Sequence, residues 1–212
     1  MAATPLHDLA YLALKEALLE GRIPPGQPVT VASLAALLGT GTMPMREAVR
    51  RLTAEGGLSA SETRRLTVPA LGSARFQALM RARLLLEPEA AADALPFLGP
   101  SDVAELSQTD AALSQAILAR DPASYMRLNY RFHFRLYRAA PESVLAPLIE
   151  SLWLQFGPWM HLLFDRASAQ LATDRHQAAL RAVRAGNEAA LRAAITADIC
   201  DALDTLKAAG QG

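Results

Sequence analysis

Apolar residues recur at helical spacing over most of the chain, and the places where that rhythm breaks outline its elements. Residues 8–20, "DLAYLALKEALLE", carry Leu9, Leu12, Ala13 and Leu19 near a 3.6-residue period and predict an amphipathic helix ended by Gly21. The three prolines of "IPPGQPV" (23–29) make a stiff turn. A second helix, "VASLAALLG" (31–39), stops at Gly39, and the tight "GTGT" follows. In the third helix Met45, Val49 and Leu52 lie at i, i+4 and i+7 and face a core, while Arg46 and Arg50 share the other side. Pro44 suits its first turn, because the missing N–H would be unpaired there anyway. Thr42 is predicted as the N-cap in preference to Met43, since a hydroxyl can accept a hydrogen bond from the first turn. "AEGGL" ends this helix, and "LSASETRRLTVPAL" (58–71) predicts two short strands around a turn at Ser61–Arg64.

From about residue 73 the character changes. Helical patterns follow one another, separated by "LPFLGPSD", "ARDPAS", "AAPES", "FGPW" and "RAGNE", and no strand signal appears. The expectation is a mainly α protein in two domains. Residues 1–72 form three helices and a hairpin, and residues 73–212 form an all-α bundle of about six helices joined by short loops.

Composition narrows the setting. The chain has 212 residues, 51% of them hydrophobic, which is ample for a buried core. No apolar run is long enough to span a bilayer, and "MAATPLHDLA" lacks the basic start and apolar block of a signal peptide. A lone Cys200 excludes an internal disulfide framework and fits a reducing compartment, so a soluble cytoplasmic protein is expected. The 21 basic and 21 acidic side chains argue against a wholesale polyanion binder. Residues 1–72 hold seven basic against six acidic side chains, so any nucleic-acid surface must come from arrangement rather than bulk charge.

Three short helices followed by a hairpin is the plan of a winged helix-turn-helix. Its third helix can enter the DNA major groove with its N-terminal residues at the base edges. Arg46, Arg50 and Arg51 suit that place, because a planar guanidinium forks onto guanine or phosphate oxygens. The same spacing also describes an ordinary solvated face.

A resemblance adds to this. "MPMREAVRRLTAEGGL" resembles the recognition-helix segment of GntR-family transcription regulators, and "LKEALLEGRIPPGQPVTVASLAALLGT" resembles the helix, turn and helix before it. The likeness covers nearly all of residues 8–70 and implies DNA-contacting roles for Thr42, Arg46, Arg50, Arg51, Arg64 and Arg65. Thr42 stands where the family usually has a basic residue. The wing sequence "TRRLTV" has Arg65 and Leu66 where the family usually has Arg-Gly.

The remainder resembles the FCD-type ligand-sensing domain of the FadR subfamily. "FQALMRARLLLEPEAAADAL" (76–95) carries the pattern of Arg83, Glu87 and Pro88. "LNYRFHFRLYRAAPESVLAPLIESLW" (128–153) and "DRHQAALRAVRAGNEAALRAAITADI" (174–199) resemble its middle and end. Metal-binding members show Asp-x3-His, then His, then His. Here Asn129, His133, His176 and Asp198 stand at that spacing, with Asn for the aspartate and Asp for the last histidine. Two imidazoles, one carboxylate and one amide oxygen would suit Zn²⁺, Ni²⁺, Mn²⁺ or Fe²⁺ and leave open positions. The alternative is a metal-free polar pocket.

Arg83 is expected either to meet a ligand carboxylate or to pair with Glu87 along its own helix. His161, Trp153 and Trp159 are expected in the core or at an interface rather than in the pocket, and Cys200 as buried filler. The resemblance implies a ligand-binding regulator rather than an enzyme. It would be a homodimer on double-stranded operator DNA, tuned by a small organic acid, with no membrane partner. Two rivals are a helical metalloenzyme using His133, His176 and Asp198, which would lack a motif such as H-E-x-x-H, and a binding protein whose DNA function has decayed.

Overall fold

A computed structural model of the chain describes residues 6–60, 65–69, 72–159 and 170–208. The first unit opens with α1 (Leu6–Leu19), α2 (Val31–Leu37) and α3 (Thr42–Ala54). Helix α1 stops where Gly21 turns left-handed at φ 67°. Its buried face is Ala10, Tyr11, Leu14, Ala17, Leu18 and, as expected from its spacing, Leu19. The face differs from the expected one at Leu9 and Leu12, which are 48% and 53% exposed. The small Ala10 and Ala17 let α1 lie close on α3, and the Tyr11 hydroxyl donates to Glu55 at 2.9 Å.

Helix α2 begins with a reciprocal cap. The Thr30 hydroxyl accepts from the Ser33 amide at 3.0 Å, and the Ser33 hydroxyl accepts from the Thr30 amide at 2.9 Å. Helix α3 buries Met45, Val49 and Leu52 as the spacing predicts, with Ala48 beside them. Its cap differs from the expectation. Thr42 is already helical and Gly41 occupies the cap position without a side-chain bond. A Cβ on Gly41 would lie 3.3 Å from Cδ of Pro44, so the proline in the first turn crowds out a larger capping residue.

Strands β1 (Ser59–Ala60) and β2 (Leu66–Thr67) pair antiparallel, Ser59 opposite Thr67 and Ala60 opposite Leu66. The expected turn at Ser61–Arg64 lies outside the described residues. The Pro-rich turn adds a third edge. Val29 and Leu66 exchange backbone hydrogen bonds at 2.7 and 3.1 Å, and the Gly26 amide donates to Val68 at 3.0 Å. Leu58, Leu66 and Val68 are buried beneath this ribbon.

Residues Trp153–Trp159, which the sequence reading keeps in the second domain, cluster with this first unit. Glycines make the room. A Cβ on Gly56, at φ 79°, would lie 3.1 Å from Cδ of Gln155, and one on Gly57 would lie 3.7 Å from Cβ of Leu154. Trp153, Leu154 and Phe156 are buried.

The second unit starts at Gly72. It is built from α4 (Ser73–Ala94), α5 (Pro100–Leu118), α6 (Pro122–Tyr137), the start of α7 (Leu145–Phe156), α8 (Gln170–Arg184) and α9 (Glu188–Ala208). Helix α5 packs on α6 and α8, α9 packs on α8 and α4, and α4 touches α6. Pro100 and Pro122 each take the first position of their helix, where a proline costs no hydrogen bond. Among the described residues, no helix is long and apolar enough to cross a membrane.

Candidate functional site

Two regions collect the residues that the sequence singles out. In the first unit, the start of α3 presents Thr42, Met43 and Arg46 to solvent. Met43 is 75% exposed, an apolar side chain left in water on a helix that otherwise sorts its faces cleanly. The first-turn amides of a helix have no acceptor inside it, so this end favours an anion. Arg50 is also exposed, but it forks onto Glu47 with Nη2–Oε1 at 2.6 Å and Nε–Oε2 at 3.0 Å. That hydrogen bond holds the Glu47 carboxyl below its usual range.

Arg51 differs from the expectation of a DNA-facing side chain. It turns back onto α1, bonding Oδ1 of Asp8 at 2.9 Å and lying over the Tyr11 ring at 3.8 Å. The cause is helical phase. Position 51 is one residue, about 100°, from Arg50, which carries it toward α1. Arg65 is exposed at the foot of β2. Arg64 and His161 lie outside the described residues.

In the second unit, α6 carries a stripe of polar residues every four positions: Tyr125, Asn129, His133 and Tyr137. Helix α8 brings His176 to it and α9 brings Asp198. Nε2 of His133 lies 3.3 Å from Nε2 of His176 and 3.3 Å from Oδ2 of Asp198. One ligand atom from each of the three residues falls within 4.8 Å of the others. The setting is dry, with His133 and His176 essentially inaccessible and Asn129 buried one turn away. Burial alone would raise the Asp198 carboxyl. The hydrogen-bonding and charge of His133, with His176 and Arg83 behind it, bring it below its usual range instead.

Arg83 takes the intrahelical pairing of the two readings open to it. Its Nε is 2.5 Å from Oε1 of Glu87 and its Nη2 is 3.3 Å from Oε2. Both side chains are buried, so the pair is held by mutual need, because neither charge can be left alone there. Three further residues join the cluster. The Tyr137 hydroxyl touches Nδ1 of His133 at 2.9 Å and Oε2 of Glu87 at 2.8 Å. Oδ1 of Asp110 lies 3.1 Å from Nδ1 of His176, and Gln177 donates to the other oxygen. The four-residue spacing from His133 could have found Tyr137. Nothing in "LSQTDAALSQ" distinguishes Asp110. Cys200 is half-buried on α9.

Such a cluster, on its own, could be a polar core. Comparison with known proteins supplies the context. Residues 6–68 match the family described as bacterial regulatory proteins, gntR family, and residues 78–200 match the FCD domain. The HTH-type transcriptional regulator McbR of Escherichia coli (strain K12) is 34% identical over 152 residues, 72% of this chain and 69% of that protein. The Nta operon transcriptional regulator of Aminobacter aminovorans is 29% identical over 155 residues, covering 72% and 71% of the two chains. A solved structure titled E. coli McbR/YncC superposes with a TM-score of 0.90 at 27% identity, over 98% of this chain and 100% of that one. These relatives are transcription regulators, not enzymes. The chain belongs to the GntR family of bacterial transcription regulators, among the members that join a winged helix-turn-helix to an FCD domain.

Proposed function

We propose that this regulator binds operator DNA through the start of α3 and the wing, and that a divalent metal with a small carboxylate effector in the helical domain tunes that binding. Arg46, Thr42 and Met43 are assigned to the base edges, with Arg50 and Arg65 on phosphates. Arg51 is assigned to the stability of the first unit. A homodimer would present two such helices to paired half-sites.

The observation that carries the metal reading is the meeting of Nε2 of His133, Nε2 of His176 and Oδ2 of Asp198. Ligand atoms bonded at about 2.0–2.1 Å in a tetrahedron stand about 3.3–3.4 Å apart, and the two closest separations here are both 3.3 Å. Charge supports the same reading. With both imidazoles neutral, as metal ligands must be, the cluster of Arg83, Glu87, Asp110 and Asp198 sets one cation against three carboxylates in a largely buried volume, an excess that a divalent ion neutralises. His133, His176 and Asp198 would hold the ion, with the amide oxygen of Asn129 as a weak fourth donor. A bound ion would act as a Lewis acid with open positions for an effector carboxylate. Arg83, kept by Glu87, acts on the site through its charge.

An effector changes operator affinity only if it binds two arrangements of the protein unequally, and the coupling is then reciprocal. The test has two arms. Duplexes selected from a random pool by the full chain are titrated with and without Zn²⁺, Ni²⁺ or Mn²⁺ and small dicarboxylates, and metal content is measured on the purified protein. Selection of no sequence would overturn the DNA assignment. Absence of any bound ion, with duplex affinity indifferent to added metal, would overturn the metal reading.

A further inference from the structure

The two imidazoles of the cluster are held by their outer nitrogens, and the partners there decide which way each lone pair points. Nδ1 of His133 is 2.9 Å from the Tyr137 hydroxyl, which donates to Oε2 of Glu87 at 2.8 Å. A phenol has one proton. Spent on Glu87, it leaves only lone pairs toward the ring, so Nδ1 of His133 must supply the hydrogen. The phenol keeps that proton at neutral pH, as tyrosines ordinarily do. Across the site, Nδ1 of His176 lies 3.1 Å from Oδ1 of Asp110. A carboxylate only accepts, and Gln177 donates to its second oxygen, so Nδ1 of His176 is a donor as well.

We infer that Tyr137 and Asp110 are positioning residues of the metal site. Each accepts Nδ1–H from one imidazole and thereby leaves that ring's Nε2 facing the point shared with Asp198, as the nitrogen that would hold the ion once deprotonated. The inference rests on the metal reading above and assigns roles to residues that reach the ion only through an imidazole ring. The supports differ in kind. His133 is backed by a chain across two helices, Tyr137 to Glu87 to Arg83. His176 is backed by a single carboxylate on α5, and its plane is set by Phe132, stacked at 3.9 Å and 10°. Outer partners of this kind fix ring orientation and raise ligand basicity, and their loss typically lowers metal affinity about 10–100-fold.

The experiment uses the full chain labelled with ¹⁵N only in histidine. The wild type should show protonated Nδ1 at both His133 and His176, before and after loading with Zn²⁺, and Nε2 should shift on loading. Tyr137→Phe removes one oxygen and should cost the Nδ1–H signal of His133 alone. Asp110→Asn should disturb His176 alone. Each should weaken Zn²⁺, measured against a competing chelator, by about 10–100-fold. Circular dichroism checks that each variant folds, and because the two lie on different helices either one suffices. An unprotonated Nδ1 on either ring of the wild type, or wild-type Zn²⁺ affinity in both variants, would overturn the inference. Failure of the wild type to bind Zn²⁺, Ni²⁺ or Mn²⁺ would instead remove the metal reading, while the Nδ1 resonances would still decide the hydrogen-bond assignment.

Discussion

Arg51 lays its guanidinium 3.8 Å from the centre of the Tyr11 ring, and with Asp8 it joins α3 to α1. Arg46 and Arg51, five residues apart on a single helix, are therefore expected to do different work. Arg51→Ala should lower the unfolding free energy by ~1 kcal/mol, the usual worth of a half-exposed cation–π and ion-pair contact. The surviving folded protein should keep its preferred duplex. Arg46→Ala should do the reverse, costing ~1–3 kcal/mol of selective binding with little change in stability. Denaturant melts and duplex titrations on the same samples separate the two. A loss of selectivity in Arg51→Ala would return that residue to the DNA face.

Glu47 restrains Arg50. Removing the restraint in Glu47→Ala should free a guanidinium for phosphate, strengthening binding to all duplexes and steepening the salt dependence by about one unit. The check is the slope of log affinity against log salt. An unchanged slope would place Arg50 away from the DNA.

An ion that binds only the folded chain stabilises it by mass action, about 2.7 kcal/mol at one hundred times its Kd. For a chain of this size that is about 5–10 °C in Tm. Zn²⁺ or Ni²⁺ should produce such a rise, a chelator should reverse it, and His176→Ala should erase the difference. Asn129→Asp should enlarge it by supplying a charged ligand, and should lower the Tm of the metal-free protein by adding a carboxylate to an already negative cluster. Differential scanning calorimetry of stripped and loaded samples measures both.

Asp198 is more acidic in the folded chain than in the unfolded one, because His133, His176 and Arg83 outweigh its burial. A depressed folded pKa contributes stability above the ordinary carboxylate value, near 3.8, and loses it as pH falls through the lower folded value. Metal-free wild type should therefore lose stability across that acid range more steeply than Asp198→Asn. Urea midpoints between pH 2.5 and 6 give the comparison, and parallel profiles would deny the carboxylate its role.

Gly56 sits at φ 79° with its missing Cβ 3.1 Å from Gln155. Gly56→Ala combines a left-handed backbone with a crowded neighbour and should cost more than ~1 kcal/mol. Thermal melts read it, and a neutral result would show that neither the left-handed backbone nor Gln155 is strained by the added Cβ.

The helices and the glycine punctuation were legible in the sequence, because they depend on local spacing. The face of α1 was not. Leu9 and Leu12 fit a helical period as well as Leu14 and Leu18 do, and only the partner helix decides between them. The third edge at Val29 was hidden for a similar reason, since a proline-rich turn gives no sign of pairing with a strand far along the chain. His133, His176 and Asp198 could be named from their spacing in a resembling family. Asp110 could not, because a single acidic residue on an amphipathic helix looks like a solvated one until α8 covers it. Arg83 showed both of its options, and the structure shows its pair with Glu87.

The polar stripe of α6 has a mechanical consequence. Four residues advance a helix by about 400°, so each step in the stripe is rotated by about 40° from the last. Tyr125 and Tyr137 thus leave the axis about 120° apart. The stripe is a shallow screw thread: His133 within it meets the Asp198 carboxylate, and Tyr137 at its end meets Glu87. Such a thread lets one helix meet two neighbours in succession, so His133 and Tyr137 touch each other on α6 yet hand their polar contacts to different carboxylates, one on α9 and one on α4.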